Sequence, residues 1–159
     1  MTHITRTSSS RDDWGTPQEI FDHLDYWYHF TLDPCASASN HKCKKYYTKE
    51  NDGLSKSWAK EVVFCNPPYS NKSEWVTKCL RETLCGATCV CIIPDATDTK
   101  LWHEVVMQAE LIYFTKGRVK FIDPTGKGRT NNTRGTAIAV FSRHSRWSPE
   151  ILSLDLSKI

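Results

Sequence analysis

No apolar run in this 159-residue chain is long enough to cross a bilayer, where a spanning helix needs about 20 residues. The opening MTHITRTSSS lacks the apolar core of a secretory leader. A soluble, cytoplasmic protein with no membrane partner is expected. Net charge is small as well: 21 Lys and Arg face 18 Asp and Glu, a net +3, so a polyanionic partner is permitted but not demanded. No internal repeat is found. Missing too is any Cys-x-x-Cys pair, although seven cysteines are present. Without such pairs, and without paired His spacing, no metal site is expected. An odd count without a leader also argues against a disulfide framework. Cys65, Cys89 and Cys91 fall in apolar, strand-like runs and read as small hydrophobes.

A chain of this length can bury a real core. One domain is expected over 13–159, behind a loose polar tail at 1–12 that carries Ser8, Ser9 and Ser10 in a row. Thr16-Pro17-Gln18-Glu19 joins an N-cap residue to a helix-starting proline and a capping-box glutamate. Ile20, Phe21, Leu24, Trp27 and Tyr28 then recur at helical spacing, which predicts a helix over 17–28. Strands are predicted at 30–33, 62–65, 88–94, 111–115, 118–122 and 136–141, with Tyr46-Tyr47 as a fragment. Helices capped at Ser73 and at Thr97 or Asp98 alternate with them. That order predicts an α/β Rossmann-like sandwich, abbreviated, with a mixed, mostly parallel sheet and helices on both faces.

In open α/β sheets, ligands bind beyond the C-terminal ends of the strands. Three stretches are predicted there: DPCA from Asp33, NPPY from Asn66 and PDATD from Pro94. NPPY has a chemistry of its own. An amine on an aromatic ring is a poor nucleophile, because its lone pair is delocalised into the ring. Two acceptors beside its N–H bonds favour a tetrahedral nitrogen with the lone pair directed outward. Asn66 Oδ1 can be one acceptor and the Pro67 carbonyl the other, the latter restrained because Pro68 follows. Acceptors fixed in advance accelerate reactions without reorganising. Tyr69 offers a face on which a base can stack, worth about 1–3 kcal/mol. Read alone, DPCA and the Asp52 turn in ENDGL are turn openers first and ligand acceptors second.

Taken in order, WGTPQEIFDHL, FTLDPCASASNHKCKKYYT, ENDGLSKSW, VFCNPPYS, IIPDATDTKLWH and KGRVKF resemble the phage-type DNA N6-adenine methyltransferases. These belong to the S-adenosylmethionine-dependent amino-methyltransferases, and the likeness covers about residues 14–121. It implies a class I methyltransferase fold and methyl transfer from S-adenosylmethionine to the exocyclic amine of a flipped adenine in double-stranded DNA. It also implies that Trp14, Thr16 and Pro17 contact the methionine end of the cofactor, with Asp33, Pro34, Ala36 and Asp52 lining the rest. Asn66, Pro67, Pro68 and Tyr69 match the catalytic motif. The chain departs from the broader methyltransferases in lacking Gly-x-Gly within DPCASAS, and Ala96 stands where some members carry Arg. The ribose-binding acid stays open between Glu50 and Asp52.

Phosphate contacts need lysine and arginine near the site. Lys120, Lys127, Arg129 and Arg134, in and beside the glycine-rich stretch 123–135, are the candidates for DNA. NPPY also suits an RNA adenine or a protein glutamine, and a non-catalytic nucleic-acid-binding module on the same fold is the alternative of another class.

Overall fold

The computed structural model describes residues 12–130, 132–145 and 147–159; apart from Asp12, the tail expected at 1–12 lies outside them. The least polar runs of the sequence form the middle of the sheet, where both faces are covered: β3 (Val62–Cys65), β4 (Thr88–Pro94) and β6 (Thr136–Phe141). Around them stand β1 (Leu32–Asp33), β2 (Lys45–Tyr46), β5 (Leu111–Lys116) and β7 (Glu150–Asp155). The sheet order is β2-β1-β3-β4-β6-β5-β7. Only β6 opposes its neighbours; the other pairings are parallel. The fold is thus the expected α/β sandwich with a mixed, mostly parallel sheet.

Strand alternation sorts the core into two layers. Val63, Cys65, Cys91 and Ile93 face α2 (Lys72–Glu82) and α3 (Lys100–Glu104), whose Trp75, Val76, Cys79 and Trp102 complete that layer. Phe64, Val90 and Ile92 face the other way, onto Ile20, Phe21 and Leu24 of α1 (Gln18–Tyr28). Phe21 meets Phe64 edge-on, with ring centroids 5.0 Å apart. Burying each such side chain contributes about 1.5–3 kcal/mol.

Five local expectations are corrected. Residues 118–122 are not a strand: Val119 and Phe121 do point inward, but Ile122 makes only single bridges, to Gly15 and Arg129. The strand β7 was not foreseen. The Thr16–Glu19 capping box does not form, because Pro17 is the N-cap and no side chain caps the helix. Glu19 instead pairs with Arg129 at 2.5 Å. α2 starts at Lys72 without a Ser73 cap, and Thr99, rather than Thr97 or Asp98, caps α3 by accepting from the Trp102 amide at 3.3 Å.

Candidate active site

Parallel strands end together, and the loops after β1 and β3 therefore face one cleft of about 770 Å³. Its walls include Thr16, Asp33, Pro34, Asp52, Asn66 and Trp75. The loop after β4 turns elsewhere: the Asp95 amide donates to the Gly135 carbonyl at 3.1 Å, and residues 95–99 are not among the cleft's walls.

Asn66 follows the last residue of β3. Its Nδ2 donates to the Trp14 carbonyl at 3.0 Å. A carbonyl can only accept, so this bond fixes the amide's orientation and turns Oδ1 the other way. The Asn66 main-chain carbonyl is held from below, accepting from the Cys35 thiol at 3.2 Å. Pro68 lines the cleft, whereas Pro67, which is buried, and Tyr69, 39% exposed, are not among its walls. Burial pushes the Tyr69 hydroxyl up in pKa while the charge of Arg134 draws it down, so Tyr69 stays neutral and within reach of the basic loop.

Asp33 ends β1 with its carboxylate buried. Oδ2 accepts from the Lys42 amide at 2.9 Å, which folds residues 34–42 back over the strand. Burial raises its pKa to about 6 against the pull of its backbone donors. Gly53 shows why the turn at 51–53 needs glycine: a Cβ there would lie 2.0 Å from the Pro34 carbonyl oxygen. Asp52 beside it takes a left-handed conformation, φ 52°. The turn is gripped from α2, since the buried Trp58 donates Nε1 to the Gly53 carbonyl at 3.0 Å and its amide donates to Glu82 at 2.9 Å. Lys78 closes that knot, 2.7 Å from Glu82.

Three buried side-chain atoms lack a hydrogen-bond partner among the described residues: Thr16 Oγ1, Asn71 Oδ1 and Trp75 Nε1. All three belong to walls of this one cleft. An unmet buried polar atom costs about 1–3 kcal/mol, and the three residues that carry them border one cavity. Asn71 and Trp75 carried no sequence signal for this role. Thr16 did, but its hydroxyl read as a helix cap.

The segment 12–16 ties the cleft's rim together. Asp12 accepts from the Ser70 hydroxyl at 2.7 Å, Asp13 pairs with Lys49 at 3.1 Å, and Gly15 exchanges two 2.8 Å hydrogen bonds with Ile122. Of the basic candidates, Lys120, Lys127 and Arg134 are exposed, whereas Arg129 is engaged by Glu19. Residues 123–128 form a tight turn, closed by the Asp123 amide on the Gly128 carbonyl at 2.9 Å. Its Pro124 reaches the cleft. No helix among the described residues is long and apolar enough to cross a membrane.

The family model described as DNA N-6-adenine-methyltransferase (Dam) matches residues 3–158. The chain is 27% identical over 146 residues to the DNA N-6-adenine-methyltransferase of Haemophilus phage HP1 (strain HP1c1), a match that covers 89% of this chain and 84% of that protein. It is 31% identical over 149 residues to the DNA N-6-adenine-methyltransferase of Escherichia phage T1, covering 82% of this chain but only 62% of that longer protein.

Proposed function

Because the chain belongs to the DNA N-6-adenine-methyltransferase (Dam) family, we propose that its cleft takes S-adenosylmethionine and that NPPY presents a flipped adenine of double-stranded DNA to it. The single observation that carries this reading is the Asn66 amide, locked by the Trp14 carbonyl at 3.0 Å with its acceptor oxygen turned away. The cleft fits the cofactor on its own terms. Thr16, Asn71 and Trp75 supply unmet polar atoms, and Asp33 supplies a buried carboxylate suited to an ammonium group. Trp14, Pro17, Pro34, Ala36 and Asp52 complete the proposed binding set; of these, all but Pro17 line the cleft. When bound, the cofactor supplies an electrophilic methyl group.

The chain's own part is to prepare the amine. Asn66 Oδ1 and the Pro67 carbonyl each accept one N–H of the adenine N6. Together they draw the nitrogen towards tetrahedral geometry and direct its lone pair into the cleft. Pro68 restrains the Pro67 carbonyl, and Tyr69 stacks on the ring. These contacts offset the few kcal/mol that extruding a base costs. Once the N–CH3 bond has formed, the nitrogen releases one of its two held protons to solvent, without a side-chain base. Lys120, Lys127 and Arg134 contact phosphate; Arg129 does so only by exchanging its partner Glu19.

Incubation with methyl-labelled S-adenosylmethionine and either duplex DNA, RNA or protein, followed by nucleoside analysis, tests the reading. Label in N6-methyladenine from duplex DNA is the expected result. Label confined to RNA or protein would overturn it.

A further inference from the structure

Five of the seven cysteines lie on one side of the sheet, beneath the NPPY loop. Cys65 and Cys91 are register partners on the neighbouring strands β3 and β4, so both side chains point into the same layer. Cys79 meets them from the buried face of α2. The three sulfurs lie within 4.8 Å of one another, and all three residues are 0% exposed. Cys89 stands two residues before Cys91 and faces the same layer.

The cluster has a way in. Cys35 Sγ lies 3.8 Å from Cys65 Sγ, and Cys35 itself lines the cleft. Cys35 also holds the Asn66 carbonyl. A run of thiols therefore leads from the open cleft to the triad, passing directly under the catalytic loop.

We propose that Cys65, Cys79 and Cys91 form a binding site for a thiophilic d10 cation of the zinc and cadmium kind, reached through Cys35. Three convergent sulfurs are the right donors: zinc takes thiolates at about 2.3 Å in tetrahedral geometry, which sets neighbouring sulfurs about 3.8 Å apart, and the larger cadmium ion sets them farther apart. Rotation of three cysteine side chains supplies the remaining approach. Cys35, whose Sγ lies 3.8 Å from Cys65 Sγ, is the candidate for a fourth bond. Each S–H proton leaves to solvent as its sulfur bonds the ion, so uptake releases protons and weakens as pH falls. A packing role alone asks nothing of the sulfur atoms. Valine or alanine would fill the same layer, as Val63, Ala137 and Ala139 do.

Titration of the reduced protein with Cd2+ tests the site through sulfur-to-cadmium charge-transfer absorption. Cys85 is exposed, so Cys85→Ser removes the thiol that binds adventitiously. Expected are one tightly held Cd2+ per chain in both wild type and Cys85→Ser, and cadmium NMR of the Cys85→Ser complex in the range of three or four sulfur ligands. Cys79→Ala should weaken binding at least tenfold. Failure of folded wild type to develop the absorption overturns the proposal, as does its loss in Cys85→Ser. A cadmium signal with fewer than three sulfurs also overturns it, and it is read without any substitution in the triad.

Discussion

The sheet has a hollow at each end, and the two differ in what their polar atoms are doing. At one end lies the cleft of about 770 Å³; at the other, a cavity of about 510 Å³ walled by Tyr28, Thr88, Glu110, Ser142, Arg143 and His144. In the second, several polar groups satisfy one another. Tyr28 and Tyr113 share a 3.2 Å hydrogen bond, Ser142 donates to Glu110, and the His144 amide donates to Ser142 Oγ at 3.0 Å. In the first, Thr16, Asn71 and Trp75 have atoms unmet among the described residues, and burial raises the Asp33 carboxyl to about pKa 6. Volume does not separate the two ends. Unmet hydrogen-bonding capacity among the described residues does.

The largest break in that contrast comes at the reacting atoms. Asn66→Ala removes one of the two acceptors proposed for the amine and should lower turnover about 10²–10³-fold, as loss of one preorganised group does. S-Adenosylmethionine affinity should change little. Single-turnover assays beside calorimetry check both, and retained turnover contradicts the assigned role.

Asp33 sharpens the contrast through pH. Its folded pKa is raised from 3.8 to about 6, so the folded state holds the proton more tightly than the unfolded chain. The resulting stability is complete below about pH 4 and is lost as pH rises through about 6. Asp33→Asn keeps an acceptor for the Lys42 amide without the charge. The unliganded variant should match wild type at low pH and exceed it above pH 6 by about 2–3 kcal/mol, at 1.36 kcal/mol per pKa unit. Denaturant unfolding across pH reads this. A variant less stable than wild type at pH 8 contradicts the account.

The smallest effect belongs to the rim. Arg134→Ala should weaken DNA binding several-fold and reduce the salt slope by about one. Arg143→Ala, at the opposite end, should leave that slope unchanged. Equal slopes for all three proteins would remove the 123–135 loop from the DNA face.

How much of this was legible in the sequence follows from which residues act locally. Val62–Cys65, Thr88–Pro94 and Thr136–Phe141 were read to the residue, because strands buried on both faces are continuously apolar. β7 escaped because it is an edge strand with only Leu154 buried. Residues 118–122 carry the alternation of a strand, and Val119 and Phe121 do face the core, but alternation cannot say whether a ladder partner exists. The role proposed for NPPY can be argued from the sequence because it needs only four consecutive residues. The rest of the cleft was not: Gly53 meets Pro34, and Trp14 orients Asn66, only through the fold. Thr16 satisfied a capping pattern that Pro17 pre-empted. The cysteines, scattered along the chain, converge only because β3 and β4 pair in register beneath α2.

One measurement reaches the central claim most directly: calorimetric titration of S-adenosylhomocysteine into wild type, Thr16→Val and Tyr28→Phe. Thr16→Val removes one unmet hydroxyl of the cleft at constant shape, while Tyr28→Phe removes a satisfied one from the opposite hollow. Expected are one ligand per chain for wild type, binding about tenfold weaker for Thr16→Val, a loss of about 1.4 kcal/mol, and wild-type affinity for Tyr28→Phe. Unchanged affinity in Thr16→Val together with weakened binding in Tyr28→Phe would contradict it.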